Sequence, residues 1–275
     1  MAANEGPTRP LEVLGKPLCR VDALGKVTGE TRFADDLSMP GMLHLKLVRS
    51  TVPHARIVGI GTEKALALPG VRAVLTGAEF PIPFGILPVS QDEHALCPDK
   101  VRFVGDPVAA VVASDELTAE EAARLVDVRY EPLATIASPE QALKVPEPRI
   151  HDYGDGGNIH KAVAFDFGDV PAALDDAHAV FEDTFFYQGN THLALEQHAA
   201  LAHVGTDGRV TIASSTQTPH YLHRAAAKVL GVPASRVRII APPQGGGFGG
   251  KTEPFSHEIV AAKAAMLTGR PVKVS

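Results

Sequence analysis

The sequence predicts a chain of mixed α/β, α+β class, in which short strands pair mainly through turns and a few helices cover them. Three observations lead there. Runs of five to eight residues alternating apolar and polar recur between Gly and Pro punctuation. One run, "VAAVVA" (Val108–Ala113), is apolar without a break, as in a strand buried on both faces. A Pro/Gly-rich stretch without periodicity, residues 136–160, separates two patterned regions. The expected division is an arm at 1–21, a mixed α/β domain at 22–135, a linker at 136–160 and a second domain at 161–275.

In chain order, "MLHLKLVRS" (Met42–Ser50), "HARIVGI" (His54–Ile60) and "VRAVLTG" (Val71–Gly77) read as strands, with a short helix capped by Thr62 before the turn at Pro69-Gly70. "KVRFVGDPVAAVVAS" (Lys100–Ser114) reads as strand, Gly-Asp-Pro turn, strand. Thr118 is the expected N-cap of a helix over Ala119–Val126, and "VRYEPL" returns as a strand. In the second domain "HAVFEDTFFYQG" (His178–Gly189) alternates and is predicted to be a strand. "LAHVGTDGRVTIASSTQ" signals a hairpin around Thr206-Asp207-Gly208. Thr218 as N-cap, Pro219 at the first helical position and Gly231 just past the end predict a helix over Pro219–Leu230. "SRVRIIAPP" is a strand running into a glycine loop. The helix after it sets Phe255, Ile259, Ala262 and Met266 on one face. "GRPVKVS" opens a further strand that stops at Ser275, the pattern of a chain cut short or completed by a partner.

With 45% hydrophobic and 21% charged residues among 275, the chain can bury a substantial core. A net charge of −6 and no basic run argue against a nucleic-acid partner. Two cysteines, Cys19 and Cys97, without a CxxC pair leave too few ligands for a zinc ribbon or a chain-borne iron–sulfur cluster, and point to a reducing compartment. No signal-like apolar region and no run near the ~18 apolar residues of a membrane span is present. A soluble, cytoplasmic protein is expected.

The chemistry concentrates in "QGGGFGGKTE" (Gln244–Glu253). Gly245, Gly250, Lys251 and Thr252 satisfy the phosphate-loop pattern, and Gly245, Gly247 and Gly250 the dinucleotide pattern. The surroundings oppose both. Only 23 residues follow Thr252, with no apolar strand ending in the acidic Mg²⁺ ligand. Position 273 is Lys, where a ribose-binding acid would be needed. Surplus glycines each cost chain entropy, about 0.5–1 kcal/mol, so a plain turn explains them poorly. A large polar group lying against the main chain explains them better.

These motifs, taken together, resemble the xanthine dehydrogenase/aldehyde oxidase family. "GGGFGGK" resembles its first molybdopterin-binding segment, with Gln217 lying 31 residues before Phe248. "GKVTGETRFADDL", "RSTVPHARI" and "DKVRFVGDPVAAVVA" resemble its N-terminal hammerhead α/β domain, and "HLALEQHAALA" its H-x-x-x-E segment. The resemblance implies a hammerhead-like domain followed by the first part of a molybdopterin-binding α+β domain. It implies a molybdopterin cofactor in the cytosine dinucleotide form, with [2Fe–2S] and FAD on partner subunits, and the rest of the molybdenum subunit as a further partner. It assigns Gln217, Gly246, Gly247, Phe248 and Gly249 to the cofactor, Gln217 and Phe248 to the molybdenum environment, and Thr252 and Glu253 to the substrate side. The general-base glutamate region of the family is not among these residues, so no catalytic residue is assigned and the chain alone is expected to be incomplete.

Within the family, "FGILPVSQDEHALCPDKVRFVGDP" looks most like 4-hydroxybenzoyl-CoA reductase, implying reductive dehydroxylation of an aroyl-CoA. Thr252, where purine-oxidising members carry Glu, agrees with that, while Lys251 departs from it. Hydroxylation of an aldehyde or N-heteroaromatic by water is the alternative within the family. A phosphate-loop module and a non-catalytic scaffold remain the alternatives of other classes. His192, Glu196 and His198 have metal-ligand chemistry, but bonding of His192 and Glu196 to main chain near the cofactor is the preferred reading. Asp35-Asp36 reads as turn and cap chemistry, Ser50 and Ser215 lack a nucleophile context, and Cys97 reads as a small buried residue.

Overall fold

The structure is a computed structural model that describes residues 12–87, 90–154 and 156–275. The first eleven residues of the expected arm, Pro88 and Val89 of the reductase-like run and Asp155 of the expected linker lie outside them. The chain forms two units, Met1–Arg32 and Phe33–Ser275. In the first, bends precede helix α1 (Ala23–Thr28), which ends on Gly29 in the left-handed conformation.

The second unit carries a seven-stranded mixed sheet and a three-stranded one. Before residue 135 come β1 (Leu43–Arg49), β2 (Ala55–Gly61), α2 (Glu63–Leu66), β3 (Val71–Thr76), β4 (Lys100–Val101), β5 (Pro107–Ala113), α3 (Glu116–Arg124) and β6 (Asp127–Pro132). After it come α4 (Pro139–Lys144), α5 (Val170–Asp175), β7 (Ala200–Val204), β8 (Val210–Ser214), α6 (Pro219–Leu230), β9 (Val237–Ile240), α7 (Ser256–Thr268) and β10 (Val272–Val274). The large sheet runs β3-β5-β1-β10-β7-β8-β9 and the small one β4-β2-β6. β10 pairs parallel with β1 (Leu43 opposite Val272) and antiparallel with β7 (Val272 opposite Ala202). One ladder therefore joins strands that the sequence divides between two domains.

The unbroken apolar run of β5 is buried at every position. Ala109 and Val111 pack with Ala65, Ala122 and Val126 on one side, while Ala110 and Val112 face the main core with Leu43, Leu45 and Ile259 on the other. Cys97 lies in a third cluster with Ala55, Val101 and Val108, and burial pushes its thiol up, out of reach of the thiolate form. Asp36 accepts the Phe33 N–H at 2.8 Å, the cap chemistry expected of that pair.

Several expectations are corrected. Helix α3 starts three residues earlier than expected, because Asp115, not Thr118, is its cap and accepts the Thr118 N–H at 2.9 Å. Thr62 precedes α2 but makes no side-chain cap bond. Residues 178–189 form no strand, and Phe181, Phe185 and Phe186 are exposed. Alternation says a strand could be half-buried, but no described strand gives this segment a ladder. Part of the expected linker is helical, since Ser138 caps α4 with Pro139 at its first turn. The stretch after α4 is tied down by Lys100 to Asp152 at 2.8 Å and by Arg102 Nε to the Ile150 carbonyl at 3.0 Å. Helix α7 is buried on more than one face, from His257 through Ala262 and again at Ala264 and Ala265, because it lies over β7, β8 and β10.

Candidate functional site

Strands β8 and β9 are parallel neighbours, with Ala213 opposite Ile240, and α6 connects them. A parallel pair sets two carboxyl ends side by side, the place where open α/β sheets put ligands. Gln217 follows one end and the glycine loop follows the other, which is how residues 32 and 34 apart in sequence meet. The Gln217 N–H donates to the Lys251 carbonyl at 2.8 Å. Its side-chain Oε1 accepts the Gly249 and Lys251 N–H groups at 3.1 and 3.3 Å. Two backbone donors require the oxygen, so the Nε2 group is the free end of this exposed side chain.

The loop closes on itself through Gly250 N–H to the Gly247 carbonyl at 2.7 Å and Thr252 Oγ1 to the Gly249 carbonyl at 2.7 Å. Thr218 Oγ1 holds the Thr252 carbonyl at 2.6 Å, in place of capping α6. Beneath the loop, Lys251 is buried at 2% exposure and its Nζ meets Glu196 Oε2 at 2.7 Å and the Glu196 carbonyl at 3.0 Å. The same Oε2 accepts the Gly245 N–H at 2.9 Å. Glu196 thus bonds main chain, as preferred from the sequence. Its partner Lys251 was not foreseen, since nothing in the spacing shows that the two lie face to face.

The glycines are explained differently from the sequence argument. A Cβ on Gly247 would stand 2.5 Å from Gln217 Cδ, and one on Gly250 2.8 Å from His192 Cγ. The space that a ligand was expected to claim is filled from this side by the chain's own residues. Phe248 is held at φ +51° with its ring 74% exposed. The N–H groups of Gly246, Gly247 and Phe248 have no partner among the described residues. The Gly249 N–H, expected to face the cofactor, is taken by Gln217 instead. Lys251 is equally withdrawn, so the loop lacks the free lysine of a phosphate loop.

Of the expected substrate-side pair, Thr252 is half-buried with its hydroxyl proton directed to the loop, and Glu253 is exposed. A cavity of about 990 Å³ opens beyond Pro254, lined among others by Arg49, Glu93, Phe103, Asp106, Phe255 and His257. None of Gln217, Gly246–Gly249, Thr252 or Glu253 lines it. Burial, with the carboxylates of Glu253, Asp92 and Asp106 nearby, raises Glu93 to about 7. Burial depresses His198, whose ring meets Phe255 edge-on at 4.8 Å, and holds His257, whose Nε2 has no hydrogen-bond partner among the described residues, at about 3.

Comparison with known proteins defines the class first. Residues 28–134 match the family model "Aldehyde oxidase and xanthine dehydrogenase, a/b hammerhead domain", and residues 150–275 match "Molybdopterin cofactor-binding domain". The chain belongs to the xanthine dehydrogenase/aldehyde oxidase family, as part of its molybdopterin-binding subunit. Among its relatives, the nicotinate dehydrogenase large molybdopterin subunit of Eubacterium barkeri is 42% identical over 96% of this chain and 61% of that protein. The xanthine dehydrogenase molybdenum-binding subunit of Escherichia coli O157:H7 is 41% identical over 93% of this chain and 35% of that protein. The crystal structure of quinoline 2-oxidoreductase from Pseudomonas putida 86 superposes with a TM-score of 0.85 at 30% identity, over 94% of this chain and 34% of that one. The chain therefore spans between about a third and three-fifths of the length of these relatives.

Proposed function

We propose that the chain cradles the molybdenum cofactor in a hydroxylase-type oxidoreductase, and that this cofactor sits at the carboxyl ends of β8 and β9. The observation that carries this is the row of three unpartnered N–H groups, Gly246 to Phe248, beside the free amide of Gln217. The donor set fits. An oxo-metal pterin centre presents oxygen or sulfur acceptors, and all four donors here are uncharged, while the buried cation Lys251 is neutralised below by Glu196. When bound, the group supplies two-electron redox chemistry at a site where oxygen is exchanged with water. The chain's own part is to orient it. Gln217 Nε2 and the loop N–H groups donate, Phe248 offers an exposed ring, and Thr252 and Glu253 stand on the substrate side.

For the reaction, oxidative hydroxylation of an N-heteroaromatic or aldehyde now leads, since the relatives above are named for xanthine, nicotinate and quinoline. Reductive dehydroxylation of an aroyl-CoA, favoured by the reductase-like motifs, becomes the second reading. We place the reaction in the cytoplasm, with the cytosine dinucleotide form of the cofactor, the rest of the molybdenum subunit, and partner subunits carrying [2Fe–2S] and FAD. No helix among the described residues is long and apolar enough to cross a membrane.

Molybdenum and pterin analysis of the assembled protein from its native host tests this. Both are expected in stoichiometric amount, with dye reduction driven by nicotinate, xanthine or an aldehyde. Aroyl-CoA turnover with reduced viologen would promote the second reading. Absence of both metal and pterin, with Mg²⁺-dependent ATP binding abolished by Lys251→Ala, would overturn the proposal.

A further inference from the structure

We infer that Glu196 and Lys251 are positioning residues, a buried charged clamp that ties the two ends of the glycine loop and so presents the Gly246–Phe248 N–H groups outward. The inference rests on the proposed function for what those groups meet, but not for the clamp itself. One oxygen, Glu196 Oε2, takes the Gly245 N–H at the start of the loop and Lys251 Nζ at its end, at 2.9 and 2.7 Å. The Glu196 carbonyl takes Lys251 Nζ as well, at 3.0 Å. From the other side Gln217 Oε1 holds Gly249 and Lys251. Between these two oxygens the loop residues 245, 249 and 251 are held, while the N–H groups of 246 to 248 have no partner among the described residues.

A stability role explains the pair badly. Both side chains are nearly dry, at 2% and 8% exposure, and two buried ions rarely outdo an apolar pair of the same size. Glu196 Oε1 is moreover buried with no hydrogen-bond partner among the described residues, so the carboxylate is incompletely satisfied by them. What an apolar pair cannot do is accept the Gly245 N–H and hold it at a set distance from residue 251. The charges are explained by geometry.

The test uses the assembled protein, with its molybdenum content measured first. Glu196→Gln/Lys251→Met removes both charges without stranding either, and leaves an amide oxygen for Gly245. Amide hydrogen exchange of a peptide covering residues 244–253 is expected to speed up by about tenfold or more, as loop bonds open locally. The Mo(V) paramagnetic resonance of the partly reduced protein is expected to shift or broaden, with the thermal midpoint nearly unchanged. Lys251→Arg, which keeps the charge, is expected to restore much of both signals. Exchange and resonance equal to wild type would overturn the inference, as would a lowered midpoint with unchanged exchange and resonance. If the double variant does not assemble, Glu196→Gln alone serves, with intermediate exchange supporting the clamp and wild-type exchange sinking it. A wild-type protein without molybdenum would defeat the proposed function, while the exchange measurement would still judge the clamp.

Discussion

Gln217 does two jobs with one amide, and they can be separated. Gln217→Glu keeps the oxygen that holds Gly249 and Lys251 and removes the Nε2 donor. Folding should be intact while turnover falls on the order of 10²–10³-fold, the usual effect of losing one preorganised donor. Gln217→Ala removes both, and a urea titration should add a destabilisation of about 1 kcal/mol. Gly247→Ala is expected to be worse for the fold than for its own entropy, because its Cβ would meet Gln217 Cδ at 2.5 Å. The cost should be about 1–3 kcal/mol by the same titration. Two adjacent buried groups predict opposite pH responses. Glu258, raised to about 7 by burial, contributes stability that is full below 4.5 and is lost as pH rises through about 7. His257, depressed to about 3, contributes stability that is full above 6.5 and is lost as pH falls through about 3. His257→Asn should therefore flatten the acid side of a stability–pH curve, and Glu258→Gln the neutral side.

At the scale of elements, helix α6 was legible to the residue because its punctuation is local. Pro219 starts it and Gly231, at φ 67°, ends it. Helix α3 was placed three residues late because Asp115 and Thr118 both have capping chemistry. Only the bond at 2.9 Å chooses between them. Asp115→Ala is expected to lower stability by about 1 kcal/mol in chemical denaturation, and replacing Thr118 by Ala by less. The one-faced pattern assigned to α7 failed for a tertiary reason. Alanines at 261, 264 and 265 lie off the face that the pattern picked out, yet their small size lets the helix lie close on β7, β8 and β10. The expected strand at 178–189 shows the converse, a pattern that needs a ladder partner to become structure.

For the whole molecule, the joining strand is the decisive feature. β10 has three residues, Val272 and Val274 are buried, and they sit between β1 and β7. Val272→Asp would place an unpaired charge in the middle of the large sheet. It should cost several kcal/mol and leave little soluble protein, measured as expression yield and thermal midpoint. A charge at Leu267, which is exposed on α7, should leave both unchanged.

The sequence by itself determined the class of fold, most strand and helix positions and the family resemblance. Those depend on local signals: period, caps, turn residues and motif order. Only the tertiary structure decided that one sheet crosses the expected domain boundary, that Lys251 turns inward to Glu196, and that the glycines make room for Gln217 and His192. Each of those depends on which distant groups come into contact, and a short-range pattern carries no record of its partner.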